Sequence, residues 1–228
     1  MEELVVEAPI DYVIHCASTT TSSYMVSNPV ETADGIVKDI GRPRKEEELG
    51  EISLQLPRSC YPMAKHMAEH YCHIYFTENQ VPVKIARLAQ TFGRGVSDKD
   101  TRVFMQFIKS VIEQKDIVLK TEGKSIGNYC DSLDAVKAIF SILNYGKNGE
   151  VYNVVNEKNT MCIRDMANLV ADKIANGKIK VVYEKTDKIV YAPDTELRLS
   201  SEKLRGLGWE PTKDLEEMYK DMMEDLYN

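Results

Sequence analysis

Residues 59–95 read SCYPMAKHMAEHYCHIYFTENQVPVKIARLAQTFGRG, and successive patterns within them decide the fold class. Over 59–78, Met63, Met67, Tyr71 and Ile74 recur at spacings of three and four, the period of one apolar helical face. Residues 81–88 follow as a strand. A helix that passes into a strand is one step of an alternating α/β fold.

The alternation continues on both sides. Upstream, 11–17 (DYVIHCA) is an apolar strand that runs into the polar cluster 18–23. Asn28-Pro29 restarts the chain, but Gly35 interrupts the helix that should follow, and the pattern dissolves over 39–43. Downstream, Val103, Phe104, Phe107, Val111 and Ile112 mark a helix over 101–114, with a strand over 116–120 and a break at Gly123. A helix over 132–143 and a strand over 151–155 come next. Ile163, Met166, Ala167, Val170 and Ile174 mark a further helix, with Thr160 as its expected cap, and a strand follows over 179–183. The last helix, from 214, carries Leu215, Met218, Tyr219, Met222 and Leu226 on one face. The whole reads as α/β with a largely parallel sheet.

Composition narrows the function classes. Hydrophobic residues at 43% and charged residues at 29% of 228 are globular values. A net charge of −7 without a basic stripe argues against a nucleic-acid partner, because a polyanion is held by releasing counterions to clustered lysine and arginine. No run is long and apolar enough for a membrane span, and the start lacks the basic residues of a secretory signal, so the cytoplasm is the expected compartment. Cys16, Cys60, Cys72, Cys130 and Cys162 are odd in number and form no CxxC, which reads as reduced thiols used as small apolar residues.

The chemistry concentrates at Tyr61-Pro62-Met63-Ala64-Lys65. A phenol and an ammonium four residues apart share one helical face. A neighbouring positive charge favours the phenolate, which brings a tyrosine toward the range of general acid–base catalysis. The same stretch contains His66-Met67-Ala68-Glu69-His70, an HxxEH pattern in which two imidazoles could hold zinc with a glutamate as base.

In order along the chain, YVIHCAS (12–18), SCYPMAKHMAEHYC (59–72), VKIARLAQTFGRG (83–95), RVFMQFIKSVIEQKDIVLKTEGKS (102–125), NYCDSLDAVKAI (128–139), GEVYNVVNEKN (149–159) and LRGLGWEP (204–211) resemble segments of the extended short-chain dehydrogenase/reductase family, the NAD-dependent epimerases and dehydratases of nucleotide sugars. The resemblance implies a partial Rossmann-like, doubly wound parallel sheet with a small C-terminal α/β substrate domain. Residues 1–98 would be the dinucleotide-binding part; 99–228 would be mainly the substrate-binding part, with segments returning to the Rossmann core. It also implies NAD as cofactor, a nucleotide-sugar substrate, and a homodimer or other self-association. Tyr61 falls on the family's general base, and Lys65 on the residue that orients the cofactor. Ala17 and Ser18 would sit beside the cofactor, and Gln90, Val103 and Phe104 would line the nucleotide-sugar site.

The sequence departs from that pattern in places. It has no GxGxxG or GxxGxxG loop for a pyrophosphate, and Met1 stands ten residues before the fourth-strand match, so the chain reads as a shortened member. Between Lys38 and Asp39 the family carries a strand ending in a catalytic serine or threonine, for which Ser53 and Ser59 lie in the wrong segment. Gly127 stands where the family usually has an arginine; near the C-terminus the usual substrate-site arginine is replaced at best by Arg198. Strand 13–17 would be left with open edges, and self-association or local disorder is expected near residues 1–45. Two alternatives therefore stay open: a catalytically silent binding or assembly module of the same family, and a zinc peptidase acting through His66–His70.

Overall fold

A computed structural model describes residues 41–48, 59–184 and 194–227, together with a few single positions. Strand 11–17, Ala17, Ser18 and the 1–45 segment expected to self-associate lie, all but 41–45 and Ile14, outside the described residues.

The chain enters through α1 (Cys60–Asn79), which ends where Gln80 takes the left-handed conformation and its amide donates to the Tyr75 carbonyl. Strands β1 (Ile85–Leu88) and β2 (Gln90–Phe92) follow, then α2 (Val103–Ile112), β3 (Ile117–Leu119), β4 (Ile126–Asp131), α3 (Ser132–Tyr145), β5 (Val151–Val154) and β6 (Asn156–Cys162). Helix α4 (Ile163–Leu169) widens into a π-turn over Val170–Ile174, and β7 (Val181–Tyr183), α5 (Glu202–Arg205) and α6 (Leu215–Tyr227) complete the fold.

The strands form three small sheets. β1 pairs parallel with β5, β2 parallel with β4, and β3 parallel with β7, as crossovers through helices require. β6 returns antiparallel on β4, with Ile126 opposite Cys162 and a register shift between Gly127 and Tyr129. The fold is thus α/β with mainly parallel pairing, as expected from the sequence.

Two apolar clusters hold the layers together. The larger joins β2, α2, β4, α4 and α6 around Phe92, whose ring stacks on Phe104 at 4.5 Å and meets Tyr129 edge-on at 5.9 Å and Tyr219 at 5.2 Å. The smaller packs Ala135, Ala138 and Ile142 of α3 against Tyr152 and Val154 of β5, with Leu204 and Trp209 above them. Asp131 caps α3, accepting from the amides of Leu133 at 3.0 Å and Asp134 at 3.3 Å. Gly149 enters β5 with φ +78°, where a Cβ would overlap the Phe76 ring, so its lack of a side chain brings the end of α1 close to the sheet.

Several expectations are corrected. Met63, Met67 and Tyr71 do not face the body: they are 42%, 52% and 56% exposed, and with Tyr75 they form an outward stripe. Helix α1 turns Tyr61, Lys65 and Glu69 inward instead, each half-buried, with Glu69 ion-paired to Arg87. Thr160 does not cap a helix; it lies inside β6, and its hydroxyl accepts from the Asn128 side chain at 2.5 Å. The cap of α4 is Cys162, whose sulfur accepts from the Asp165 amide at 3.4 Å. The strand expected over 81–88 is confined to Ile85–Leu88.

Candidate active site

Helix α1 supplies the candidate pair. Pro62 falls in its first turn, where a missing amide hydrogen costs nothing. Tyr61 and Lys65 are both half-buried, and the Lys65 ammonium lies 5.7 Å from the centre of the Tyr61 ring, within cation–π range. The structure therefore brings the two predicted residues together. Other tyrosines offer poorer chemistry: burial pushes the Tyr129 hydroxyl up to about 12 and that of Tyr219 well above its ordinary value. Neither hydroxyl has a hydrogen-bond partner, and both belong to the core.

One turn beyond Lys65 stands Glu69. Arg87 on β1 donates to it in a fork, Nε to Oε1 at 2.8 Å and Nη2 to Oε2 at 2.7 Å. Its third arm donates from Nη1 to the Glu46 carbonyl at 2.7 Å. The Glu46 carboxylate in turn accepts from the Asn153 amide of β5 at 2.8 Å. Four pieces of chain, 41–48, α1, β1 and β5, are thus tied together beside the Tyr61–Lys65 pair. Glu46 and Arg87 were not singled out in the sequence, and Glu69 was read only as part of HxxEH.

The remaining candidates are placed as follows. Gln90 is exposed on β2, opposite Tyr129. Val103 is half-buried at the start of α2. Phe104 is fully buried between Phe92 and the Arg102 guanidinium, which lies 4.5 Å from its ring centre, and its side chain is part of the core. Gly127 lies half-buried in β4, and Arg198 is engaged with Glu196 at 2.6 Å.

The geometry lends the zinc alternative no support: both oxygens of Glu69 accept from Arg87. His66, His70 and His73 do line one cleft with Glu69, Ile85, Gly149 and Val151. Among the described residues, however, no group of three or more histidine, cysteine or acidic side chains is arranged to hold a metal ion.

Among the described cysteines, Cys72, Cys130 and Cys162 are free thiols. Burial pushes the Cys130 thiol up to about 12. Among the described residues no helix is long and apolar enough to cross a membrane.

A mainly parallel α/β framework with a tyrosine and a lysine one turn apart on its first described helix defines an α/β class of protein. The profile of the NAD dependent epimerase/dehydratase family matches residues 35–155, and the chain belongs to that family. UDP-glucuronic acid decarboxylase 1 of Xenopus tropicalis is 25% identical over 248 residues, covering 95% of this chain and 56% of the relative. dTDP-D-glucose 4,6-dehydratase of Homo sapiens is 26% identical over 169 residues, covering 73% of this chain and 47% of the relative. The chain thus spans about half the length of the curated relatives it matches. Among solved structures, UDP-glucose 4-epimerase of Thermotoga maritima with UDP-glucose superposes with a TM-score of 0.77 at 19% identity, over 93% of this chain and 76% of that one. UDP-glucuronic acid 4-epimerase of Bacillus cereus, in complex with UDP-glucuronic acid and NAD, gives 0.68 at 19% identity, over 86% and 60%. At such identity these two similarities establish the fold.

Proposed function

We propose that the chain serves an NAD-dependent modification of a nucleotide sugar, with Tyr61 as the acid–base group and Lys65 as the residue that orients the cofactor. The observation that carries this is the ammonium of Lys65 over the ring of Tyr61 on an inward face of α1. The donor set fits the ribose end of a nicotinamide dinucleotide: a lysine with three donors can hold a ribose diol beside the phenol. The sequence carries no GxGxxG or GxxGxxG loop for the pyrophosphate, so the fit reaches only the ribose end. When bound, the nicotinamide supplies a reversible hydride acceptor. Tyr61 then takes the proton of a sugar hydroxyl and returns it later, at its phenolic oxygen. We assign residues 1–98 to the dinucleotide side and 99–228 mainly to the substrate side. The names of the relatives favour a UDP- or dTDP-linked hexose as substrate. The outward stripe of Met63, Met67, Tyr71 and Tyr75 supports self-association.

The test is incubation of the protein with NAD and a panel of UDP- and dTDP-sugars, with products read by mass spectrometry. Turnover is expected, and Tyr61→Phe should lower it by about 10²–10⁴-fold. Saturable binding of a nucleotide sugar with no turnover, unchanged in Tyr61→Phe, would favour the binding-module alternative instead.

A further inference from the structure

We propose that Arg87 is a positioning residue: by holding both carboxylate oxygens of Glu69 it keeps that carboxylate from capturing Lys65, and so leaves the Lys65 ammonium with Tyr61. The inference deepens the functional reading above and rests on it for its catalytic meaning. Its physical basis stands on geometry alone.

Tyr61, Lys65 and Glu69 follow one another at intervals of four along α1 and therefore share one face. Lys65 has two neighbours within reach: the Tyr61 ring one turn before it and the Glu69 carboxylate one turn after it. An ammonium and a carboxylate four residues apart on a helix attract each other. In the structure that attraction is not realised. Among the described residues no carboxylate pairs with Lys65, and its ammonium lies toward Tyr61.

Arg87 explains the choice. Its planar guanidinium meets the Glu69 carboxylate with two parallel bonds, the geometry that a lysine ammonium cannot reproduce. Arg87 is itself fixed by its third bond, to the Glu46 carbonyl, and by its place on β1 between α1 and β5. Both partners are about four-fifths buried, with side-chain exposures of 21% and 22%, so water competes weakly for the pair. Releasing Glu69 would leave a partly buried carboxylate without its counter-charge, and Lys65 is a cation within one turn of it.

The decisive experiment follows the contact between the Lys65 side-chain protons and the Tyr61 ring by NMR, in protein with labelled lysine and tyrosine and without cofactor or substrate. Tyr61→Leu, which removes the ring, identifies the signal. Glu69→Gln removes the competitor and should keep the contact; Arg87→Met frees Glu69 and should lose it; the double variant Arg87→Met, Glu69→Gln should regain it. Where turnover is measurable, its pH profile should shift in Arg87→Met and return in the double variant. Rescue in the double variant would also follow from relieving an unpaired, partly buried charge, so Lys65 is followed directly as well: in Arg87→Met its ammonium should approach the Glu69 carboxylate, and loss of the Tyr61 contact without that approach would overturn the proposal. An unchanged contact in Arg87→Met, its loss in Glu69→Gln, or a double variant without rescue would each overturn the proposal. Should Arg87→Met not fold, Arg87→Lys replaces it, with a weakened contact expected and an unchanged one counting against the proposal. A wild-type protein that turns over no nucleotide sugar would remove the functional reading, while the NMR pattern would still decide the role of Arg87.

Discussion

Replacing Asp134 with alanine should unpin the C-terminal quarter of the chain from α3. Asp134 is fully buried, and its carboxylate accepts from the Thr212 amide at 2.6 Å, the Thr212 hydroxyl at 2.7 Å and the Lys213 amide at 3.2 Å. Lys137 adds an ion pair at 3.3 Å. The Asp134 carbonyl also accepts from the Trp209 indole at 3.0 Å, and alanine would keep that bond. Hydrogen bonds to a charged group contribute about 1.5–3 kcal/mol each. Thr212 is exposed, so water can replace part of what is lost there. A net destabilisation of about 3 kcal/mol follows, equivalent to a fall in Tm of roughly 6–12 °C for a chain of this size.

Burial pushes the Asp134 carboxyl up, but the bonds from Thr212 and Lys213 and the ammonium of Lys137 outweigh it and hold the group below its ordinary value. A carboxyl held low in the folded state stabilises fully above its unfolded value, near 4, and loses that contribution as pH falls through the folded one. Urea unfolding of wild type and Asp134→Ala should therefore differ by a constant amount from about pH 5 upward, and the difference should shrink in more acid solution. A difference below about 1 kcal/mol at neutral pH, or one that grows on acidification, would refute this assignment.

Other outcomes can be checked alongside it. Phe104→Ala should destabilise by about 3–5 kcal/mol in denaturant unfolding, because it removes a fully buried ring stacked on Phe92. Gly93→Ala should lower Tm, since Gly93 has φ +147° and a Cβ there would lie 2.6 Å from the buried Asp131 carboxylate. In thiol alkylation under native conditions, followed by peptide mapping, Cys72 should react well before Cys130, whose thiol is buried and held protonated.

The sequence made some parts of this molecule easy to read and hid others for physical reasons. Helices α1, α2 and α6 and strand β5 announce themselves because one face of each is apolar at a regular period. Strand β6 (NEKNTMC) has no such period; its pairing with β4 comes from backbone bonds that any side chains permit, and Thr160, a plausible cap by its chemistry, is used there as a strand residue. The stripe on α1 was visible at Met63, Met67 and Tyr71, but spacing cannot tell which of two helix faces meets the body. Tyr61 and Lys65 were legible because their proximity is local, fixed by one helical turn. The Arg87–Glu69 pair was not, because it depends on how β1 lies against α1. The buried position of Phe104 follows from the amphipathic pattern of α2, whereas its place at a substrate site is implied by resemblance alone.

The most direct test of the functional reading is a single-turnover absorbance measurement of reduced nicotinamide after protein saturated with NAD is mixed with UDP-glucuronic acid or dTDP-glucose. Wild type should show a transient of reduced cofactor with at least one of the two, and Tyr61→Phe should slow its appearance by about 10²–10⁴-fold. Absence of any transient in wild type that demonstrably binds both NAD and the sugar nucleotide, or a transient of equal rate in Tyr61→Phe, would contradict the role given to Tyr61.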